Sequence, residues 1–246
     1  MAIKTYGTHE SLGAEETLAS MTKSGMIPDS ELIKNLGLFF TPGTLGRILY
    51  ISELYQKIVM RQGIIMEFGT RYGQNFILFN HLRSILEPYN RLRKIVCFDT
   101  FTGFPNVTKQ DGKNNKTGDY NIGNYGPDNL KTILETTKIF SPISHLEGLS
   151  EIISGDVSKT LPKYFERNRQ TLIALCYFDL DIYKPTLDSL IAVEPYLTKG
   201  SILAFDELND PDMPGETIAF REFIKDKKLE IFRSKTSVRT SYVIWE

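Results

Sequence analysis

Residues 63–73 run from a continuous apolar segment into a turn with two glycines, Gly63-Ile64-Ile65-Met66-Glu67-Phe68-Gly69-Thr70-Arg71-Tyr72-Gly73. The apolar segment predicts a buried β-strand. Gly69 and Gly73 predict a tight turn in which the backbone can approach a ligand closely. A helix is predicted from about residue 74 to residue 87, and the order strand, glycine turn, helix is typical of nucleotide-binding α/β folds. The turn is neither a Gly-x-Gly-x-x-Gly dinucleotide motif nor a P-loop, because no Gly-Lys-Ser/Thr follows.

Apolar strands and amphipathic helices alternate on both sides of this segment. Before it, Thr41 and Pro42 supply an N-cap and a first-turn proline for a helix to about Met60. Further strands are predicted at residues 94–98, 151–153, 172–178, 201–205, 230–233 and 241–245, and further helices at residues 129–137, 159–167, 186–197 and 216–226. The pattern predicts one α/β domain over residues 41–246, with a mostly parallel sheet, helices on both faces and an antiparallel C-terminal addition. Residues 1–40 are interpreted as a cap segment over that domain.

Composition excludes several classes of protein. The chain has 246 residues, of which 41% are hydrophobic and 24% are charged, as in a folded domain with a large core. Its net charge of −1 provides no general attraction for nucleic acid or anionic lipid. No apolar run approaches the roughly 20 residues of a membrane span, and the N-terminus does not resemble a signal peptide, so a cytoplasmic location is expected. Cys97 and Cys176 lie in apolar runs and are interpreted as reduced core residues.

Acidic residues follow most of the predicted parallel strands, where ligands bind in such sheets. Asp99 ends the second strand, about thirty residues after the glycine turn, and its carboxylate could accept hydrogen bonds from ribose hydroxyls. Gly155 and Asp156 follow the third strand. They could reach an adenine edge, or Asp156 could simply cap the next helix, and the sequence leaves both interpretations open.

The densest group of acids follows the fourth and fifth strands, at Asp179, Asp181, Asp206 and Glu207. If those strands are neighbours, the four carboxylates converge and repel one another unless they are protonated or neutralised. Oxygen ligands of this kind suit Mg²⁺ or Ca²⁺, so the sequence favours a divalent metal site. The alternative is that the acids point separately into solvent.

A polar stretch rich in Gly, Asn, Lys and Asp covers residues 106–129. It is longer than a compact domain usually leaves without regular structure. It is interpreted as a mobile active-site loop, with a simple surface insertion as the alternative.

From about residue 41 onward the chain resembles the macrocin O-methyltransferase (TylF/MycF) family of class I S-adenosylmethionine-dependent methyltransferases. The resemblance rests on an ordered set of segments: Glu67-Phe68-Gly69 with Gly73, Phe98-Asp99-Thr100-Phe101-Thr102-Gly103-Phe104-Pro105, Gly155-Asp156 with Thr160-Leu161-Pro162, Asp179-Leu180-Asp181-Ile182-Tyr183 with Pro185-Thr186, Phe205-Asp206-Glu207, and Pro214-Gly215-Glu216-Thr217 with Ala219 and Phe223. It implies a Rossmann-like fold with a seven-stranded sheet. The resemblance does not extend to residues 1–40.

The resemblance also implies roles for individual residues. The glycine turn would hold the methionine end of S-adenosylmethionine, the second strand end the ribose, and the third strand end the adenine; the residues implied in cofactor binding are Glu67, Gly69, Thr70, Arg71, Gly73, Asp99, Thr100, Phe101, Gly155, Asp156 and Asp179. Asp179, Asp206 and Glu207 would bind Mg²⁺, and Asp181 would be the general base, so Asp179 and Asp181 are the implied catalytic pair. Relatives usually carry Asp-Asp where this chain has Asp206-Glu207.

The expected activity is metal-dependent methyl transfer to a hydroxyl group of a sugar in a glycosylated small molecule or glycan precursor. A metal ion lowers the pKa of a bound hydroxyl and orients it, and a nearby carboxylate can then accept the proton. A homo-oligomer is expected from the resemblance. A catechol O-methyltransferase and a non-catalytic nucleotide-binding scaffold remain alternatives, whereas an oxidoreductase is disfavoured by the glycine spacing.

Overall fold

The computed structural model describes residues 8–246, so the first seven residues of the predicted cap segment lie outside the described part. The strands are β1 (Ile64–Phe68), β2 (Ile95–Asp99), β3 (Ser150–Ser154), β4 (Ile173–Phe178), β5 (Leu197–Phe205), β6 (Ile231–Arg233) and β7 (Ser241–Ile244). The α-helices are α1 (His9–Met21), α2 (Asp29–Leu32), α3 (Pro42–Ile58), α4 (Gln74–Leu86), α5 (Pro127–Lys138), α6 (Val157–Arg167), α7 (Tyr183–Val193) and α8 (Pro214–Phe223). Short 3-10 helices cover Ile33–Phe39, Lys109–Asp111 and Glu194–Tyr196.

The strands form one seven-stranded sheet in the order β3-β2-β1-β4-β5-β7-β6. Strands β1 to β5 are parallel to one another, whereas β7 is antiparallel to β5 and β6 is antiparallel to β7. This confirms the predicted Rossmann-like α/β class with an antiparallel C-terminal pair. The predicted elements are present within a few residues of their expected bounds.

β5 differs most from its prediction, because it begins at Leu197 rather than near residue 201. Leu197 pairs with Ile173 of β4, and the register then shifts before Leu175 pairs with Ile202. Pairing with a neighbouring strand thus brings the exposed, polar residues 198–199 into the strand. An alternation pattern read from one strand alone cannot reveal such pairing.

Helices cover both faces of the sheet and form two apolar layers. Cys97 and Tyr177 belong to the layer that contains residues of α3, α4 and α5. Phe98 and Phe178 point to the other layer, with residues of α6, α7 and α8. Adjacent strand residues therefore face opposite layers, which is why β4 is buried along its whole length.

Both cysteines are buried and free, as the sequence predicted. Burial raises the pKa of both thiols well above its usual value. The neutral thiol is therefore the stable form, and the two side chains act as small apolar residues of the core.

The chain divides into two compact units, with the boundary between Leu49 and Tyr50, inside α3. In the first unit, Thr8 caps α1 by accepting a hydrogen bond from the backbone N–H of Ser11. Helix α1, helix α2 and the 3-10 helix that follows contain no buried residue. No helix within residues 8–246 is long and apolar enough to cross a membrane.

Candidate active site

The central strands β2, β1, β4 and β5 are adjacent and parallel, so their carboxyl ends meet at one edge of the sheet. This edge is the usual ligand-binding edge of an open α/β sheet. It carries Gly69 after β1, Asp99 at the end of β2, Asp179 after β4 and Asp206 after β5. The sheet order thus brings together residues that are up to 137 positions apart in the chain (206 − 69).

The glycine turn is in direct backbone contact with the segment after β4. The N–H of Asp179 donates to the carbonyl oxygen of Phe68 at 2.8 Å. Gly69 has φ +85°, and a methyl group there would lie 1.7 Å from the carbonyl oxygen of Asp179. Only glycine fits this position, both for its backbone angle and for the available space. The implied cofactor loop and the acidic segment therefore share one wall of the site.

Within the turn, Thr70 donates to the buried Glu67 carboxylate at 3.2 Å. The guanidinium carbon of Arg71 lies 5.2 Å from the ring centre of Tyr72 and 5.4 Å from that of Tyr120, so the cation contacts two aromatic rings. Gly73, with φ +89°, is the N-cap of α4. The turn thus ends where the helix N-terminus exposes its backbone N–H groups.

Asp99 organises the loops around it. Its two carboxylate oxygens accept backbone N–H groups, one from Arg71 at 2.7 Å and one from Phe101 at 2.6 Å. A carboxylate has about four acceptor positions, so these contacts leave capacity for ribose hydroxyls. Thr100 donates to the carbonyl oxygen of Gly103 at 2.7 Å and stabilises the turn after β2.

Asp156 is the N-cap residue of α6, and its carboxylate accepts the backbone N–H of Ser158 at 3.0 Å. The helix-capping interpretation is therefore confirmed for this residue, and its contact with an adenine edge stays a prediction. The neighbouring Gly155 donates its N–H to the carbonyl oxygen of Asp99 at 2.8 Å. This bond places the turn after β3 directly beside the implied ribose site.

Three of the acids after β4 and β5, Asp181, Asp206 and Glu207, lie together with a further acid, Glu216 of α8. The Asp206 carboxylate accepts the hydroxyl of the buried Tyr177 at 2.7 Å. Glu216 is fully buried, and its Oε1 accepts the backbone N–H of Glu207 at 3.1 Å. Asp181 has φ +62°, a backbone conformation that few non-glycine residues adopt. The alternative that the four predicted acids point separately into solvent is thereby excluded for Asp206 and Glu207, both of which are buried.

Burial and the charges of neighbouring acids raise the pKa of three of these acids. Burial raises the pKa of Asp181, and the Asp206 charge adds to this effect. Burial and a hydrogen bond with Asp181 raise the pKa of Glu207. The pKa of Glu216 is also raised well above its usual value, mainly by burial. Burial and neighbouring acids therefore raise the pKa of all three carboxyl groups.

Arg239, in the turn between β6 and β7, supplies a positive charge to this cluster. Its guanidinium forms ion pairs with Glu207 and with Asp210, the latter at 2.9 Å. Sequence analysis did not identify Arg239, Glu216 or Tyr177 as site residues. Glu216 belongs to a segment that resembles the methyltransferase family, and this signal could have identified it. Tyr177 lies within an apolar strand, and no sequence pattern around Arg239 distinguishes it from other surface arginines.

The donor set suits a hard divalent cation, because it consists of carboxylate oxygens on neighbouring strand ends. Glu216 Oε2, which is buried in the same cluster, has no hydrogen-bond partner in the described part of the chain. The side chains are not arranged around a metal position, however: among residues 8–246, no group of three or more His, Cys, Asp and Glu is placed to hold an ion. Glu207, the third implied ligand, contacts Arg239 instead.

The polar loop of residues 106–126 covers this edge and is anchored by buried side chains. Asp111 is fully buried and accepts hydrogen bonds from the N–H and hydroxyl of Thr108 and from the N–H of Tyr183. Phe104 and Ile182 pack together in a small apolar cluster that Tyr120 also contacts. These anchors tie the loop to the start of α7, so they do not support the expected mobility, and its role as an active-site loop stays a prediction.

The sheet order, the glycine turn after β1 and the acid at the end of β2 define a class I methyltransferase. The chain is similar to two solved structures with near-complete coverage. One is CalS11, described as calicheamicin methyltransferase, at 38% identity over 98% of this chain and 95% of that chain, with a TM-score of 0.92. The other is the apo form of CalS11, a TDP-rhamnose 3'-O-methyltransferase, at 37% identity over 98% and 96% of the two chains, with a TM-score of 0.85.

These similarities show that the chain belongs to the macrocin O-methyltransferase (TylF/MycF) family, and it is an S-adenosylmethionine-dependent O-methyltransferase. The O-methyltransferase NovP, at 17% identity and a TM-score of 0.62 over 81% of this chain, shares the fold. No protein-family profile matches the chain, and no curated protein matches it.

Proposed function

We propose that the protein transfers the methyl group of S-adenosylmethionine to a hydroxyl group of a deoxysugar in a glycosylated small molecule or sugar nucleotide. The observation that carries this proposal is the near-complete similarity to CalS11, which acts on TDP-rhamnose. A sugar nucleotide of that chemical class is therefore the first acceptor to test.

The residues around Gly69 and Asp99 fit the cofactor. The wall that Gly69 forms with Asp179 leaves no space for a side chain on the loop, and Asp99 retains acceptor capacity beside it. Together with the turn at Gly155, these residues would hold the methionine, ribose and adenine parts in the order that their strands define. The backbone contact between Gly69 and Asp179 would then keep the methyl donor next to the acidic cluster, as an in-line transfer requires.

Asp181 is the proposed general base. Its raised pKa brings the carboxylate closer to the range in which a base accepts a proton efficiently. Its hydrogen bond with Glu207 would hold the carboxyl group in a defined orientation. The proton of the acceptor hydroxyl would move to the Asp181 carboxylate as the oxygen attacks.

Mg²⁺ is part of the proposal, with Asp179, Asp206 and Glu207 as its ligands. When bound, such a cation lowers the pKa of a coordinated hydroxyl and fixes its orientation. The support for it is the convergence of buried carboxyl groups and the unpartnered Glu216 oxygen. A cytoplasmic location and a homo-oligomeric assembly stay predictions.

The decisive test is an acceptor assay with S-adenosylmethionine and Mg²⁺, read by mass spectrometry. TDP-deoxysugars, simple glycosides and catechols are supplied in parallel, with Asp181→Asn as the matched inactive control. We expect a sugar nucleotide to gain one methyl group with the wild type and not with Asp181→Asn. Methylation of catechols alone would reject the sugar acceptor. Absence of S-adenosylhomocysteine binding in calorimetry would support the scaffold alternative instead.

A further inference from the structure

Glu207 and Arg239 face each other because of the sheet register. In the antiparallel pair of β5 and β7, Ala204 pairs with Tyr242 and Phe205 pairs with Ser241. Continuing this register by two residues places residue 239 opposite residue 207. The hairpin turn between β6 and β7 therefore delivers a guanidinium directly to the acids that follow β5.

The two partners differ in their freedom to move. The Glu207 side chain is only 3% exposed, whereas the Arg239 side chain is 39% exposed. Arg239 also contacts Asp210, which lies on the same loop as Glu207. A partly exposed arginine can withdraw into solvent while keeping its contact with Asp210, whereas the Glu207 side chain is almost completely buried.

A guanidinium and a divalent cation cannot occupy the same carboxylate without strong repulsion, because both are positive and would lie a few ångströms apart. Among residues 8–246 Arg239 contacts Glu207, and the three implied metal ligands do not form an arranged metal group. Glu207, one of the three implied ligands, is thus already paired with a positive charge.

We propose that Arg239 is a positioning residue that competes with the divalent cation for Glu207, so that cation binding requires the guanidinium to leave this carboxylate. The inference rests on the proposed metal site. It goes beyond that site by assigning a role to Arg239 and by making the Glu207 to Arg239 contact the determinant of cation affinity.

The test is a double-mutant cycle with Mn²⁺ as the probe, titrated calorimetrically into protein saturated with S-adenosylhomocysteine. We expect Arg239→Gln to tighten Mn²⁺ binding by roughly tenfold, and we expect no such gain when the same change is made in a Glu207→Gln protein. Arg233→Gln is the matched control, because it removes an exposed arginine from the same hairpin. Thermal unfolding of each variant verifies that it is folded.

Three outcomes would overturn the inference. An equal gain with and without Glu207 would mean that Arg239 acts only through its general charge. An equal gain in Mn²⁺ affinity with Arg233→Gln would also mean that only the general charge of the hairpin matters. Unchanged, weakened or undetectable Mn²⁺ binding in Arg239→Gln would show that the two cations do not compete. If the protein still binds S-adenosylhomocysteine and methylates a sugar nucleotide in these cases, the proposed methyl transfer stands and only the competition between Arg239 and the cation is rejected. Failure of the inference is thus distinguishable from failure of the proposed function.

Discussion

The fully buried carboxylate of Asp111 accepts a hydrogen bond from the backbone N–H of Tyr183, the first residue of α7. This contact joins the polar loop of residues 106–126 to the segment that carries Asp181. Gly215 of α8 lies against the same carboxylate, since a methyl group there would be 2.4 Å from Asp111 Oδ1. One side chain therefore links the loop, the proposed general base and α8.

Asp111→Asn is expected to loosen this loop. In asparagine one carboxylate oxygen is replaced by an NH2 group, which cannot accept a hydrogen bond from the N–H group that it faces. Leaving that N–H group without an acceptor costs about 1–3 kcal/mol of stability. We expect faster hydrogen exchange in residues 106–126 and a KM for the acceptor that rises by roughly tenfold. Asp119→Asn is the control, because Asp119 belongs to the same loop and is partly exposed. Equal effects of the two changes would contradict an anchoring role for Asp111.

Gly69→Ala is expected to impair both stability and cofactor binding. The new methyl group would overlap the carbonyl oxygen of Asp179, so the cofactor loop and the acidic segment would have to separate. Gly118→Ala is a close control, because Gly118 has φ +83° but no described atom within 4 Å of the added carbon. Gly118→Ala should cost only the backbone strain, about 1–2 kcal/mol. Urea unfolding and S-adenosylhomocysteine calorimetry measure the difference; equal losses would mean that backbone strain alone matters.

Asp99→Ala is expected to weaken S-adenosylhomocysteine binding by at least about tenfold. The change removes the acceptor of the Arg71 and Phe101 N–H groups and the proposed acceptor of the ribose hydroxyls. Calorimetric titration gives the affinity, with Asp128→Ala as the control at an exposed position in α5. Unchanged affinity in Asp99→Ala would contradict the ribose role.

Asp179→Ala is expected to abolish turnover while leaving S-adenosylhomocysteine affinity within a few-fold of the wild type. Its side chain is a proposed metal ligand, whereas its backbone carbonyl, which contacts Gly69, is retained in the variant. Mass-spectrometric assay of methylated product measures turnover. The control is Asp188→Ala, which removes only an ion pair with the exposed Lys184. Wild-type turnover in Asp179→Ala would reject the metal assignment.

Glu87→Gln is expected to destabilise the protein at neutral pH but not in acid. Burial alone raises the pKa of Glu87, but hydrogen bonds from Arg93, Tyr55 and Asn90 outweigh it and lower the pKa below its usual value. A lowered pKa stabilises the fold above the unfolded-state value of about 4.3, and this stability is lost as the pH falls through the folded-state value.

The variant should therefore be about 3 kcal/mol less stable at pH 7, because the buried Arg93 loses its counter-ion. The difference from the wild type should shrink below about pH 4. Urea unfolding across this pH range measures both. Glu53→Gln, which removes a more exposed ion pair with Lys57, should have little effect at any pH. A difference that persists in acid would show that Glu87 contributes through packing alone.

Much of the fold was predictable because its signals are local. The apolar runs that became β1 and β4 are buried on both faces, so they are continuous in the sequence rather than alternating. The positions of Asp99 and Asp179 after such runs already predicted which edge of the sheet would bind a ligand. β5 was predicted too short, because pairing with β4 rather than composition defines its first residues.

The sequence by itself determined the α/β class, the glycine turn at Gly69 and the acids at the strand ends, since each depends on neighbouring residues. Only the tertiary structure decided that Arg239 meets Glu207 and that Asp111 meets Tyr183. Those contacts join residues 32 and 72 positions apart, respectively. They depend on strand register and on loop packing, which bring distant segments together and leave no periodic signal in the chain.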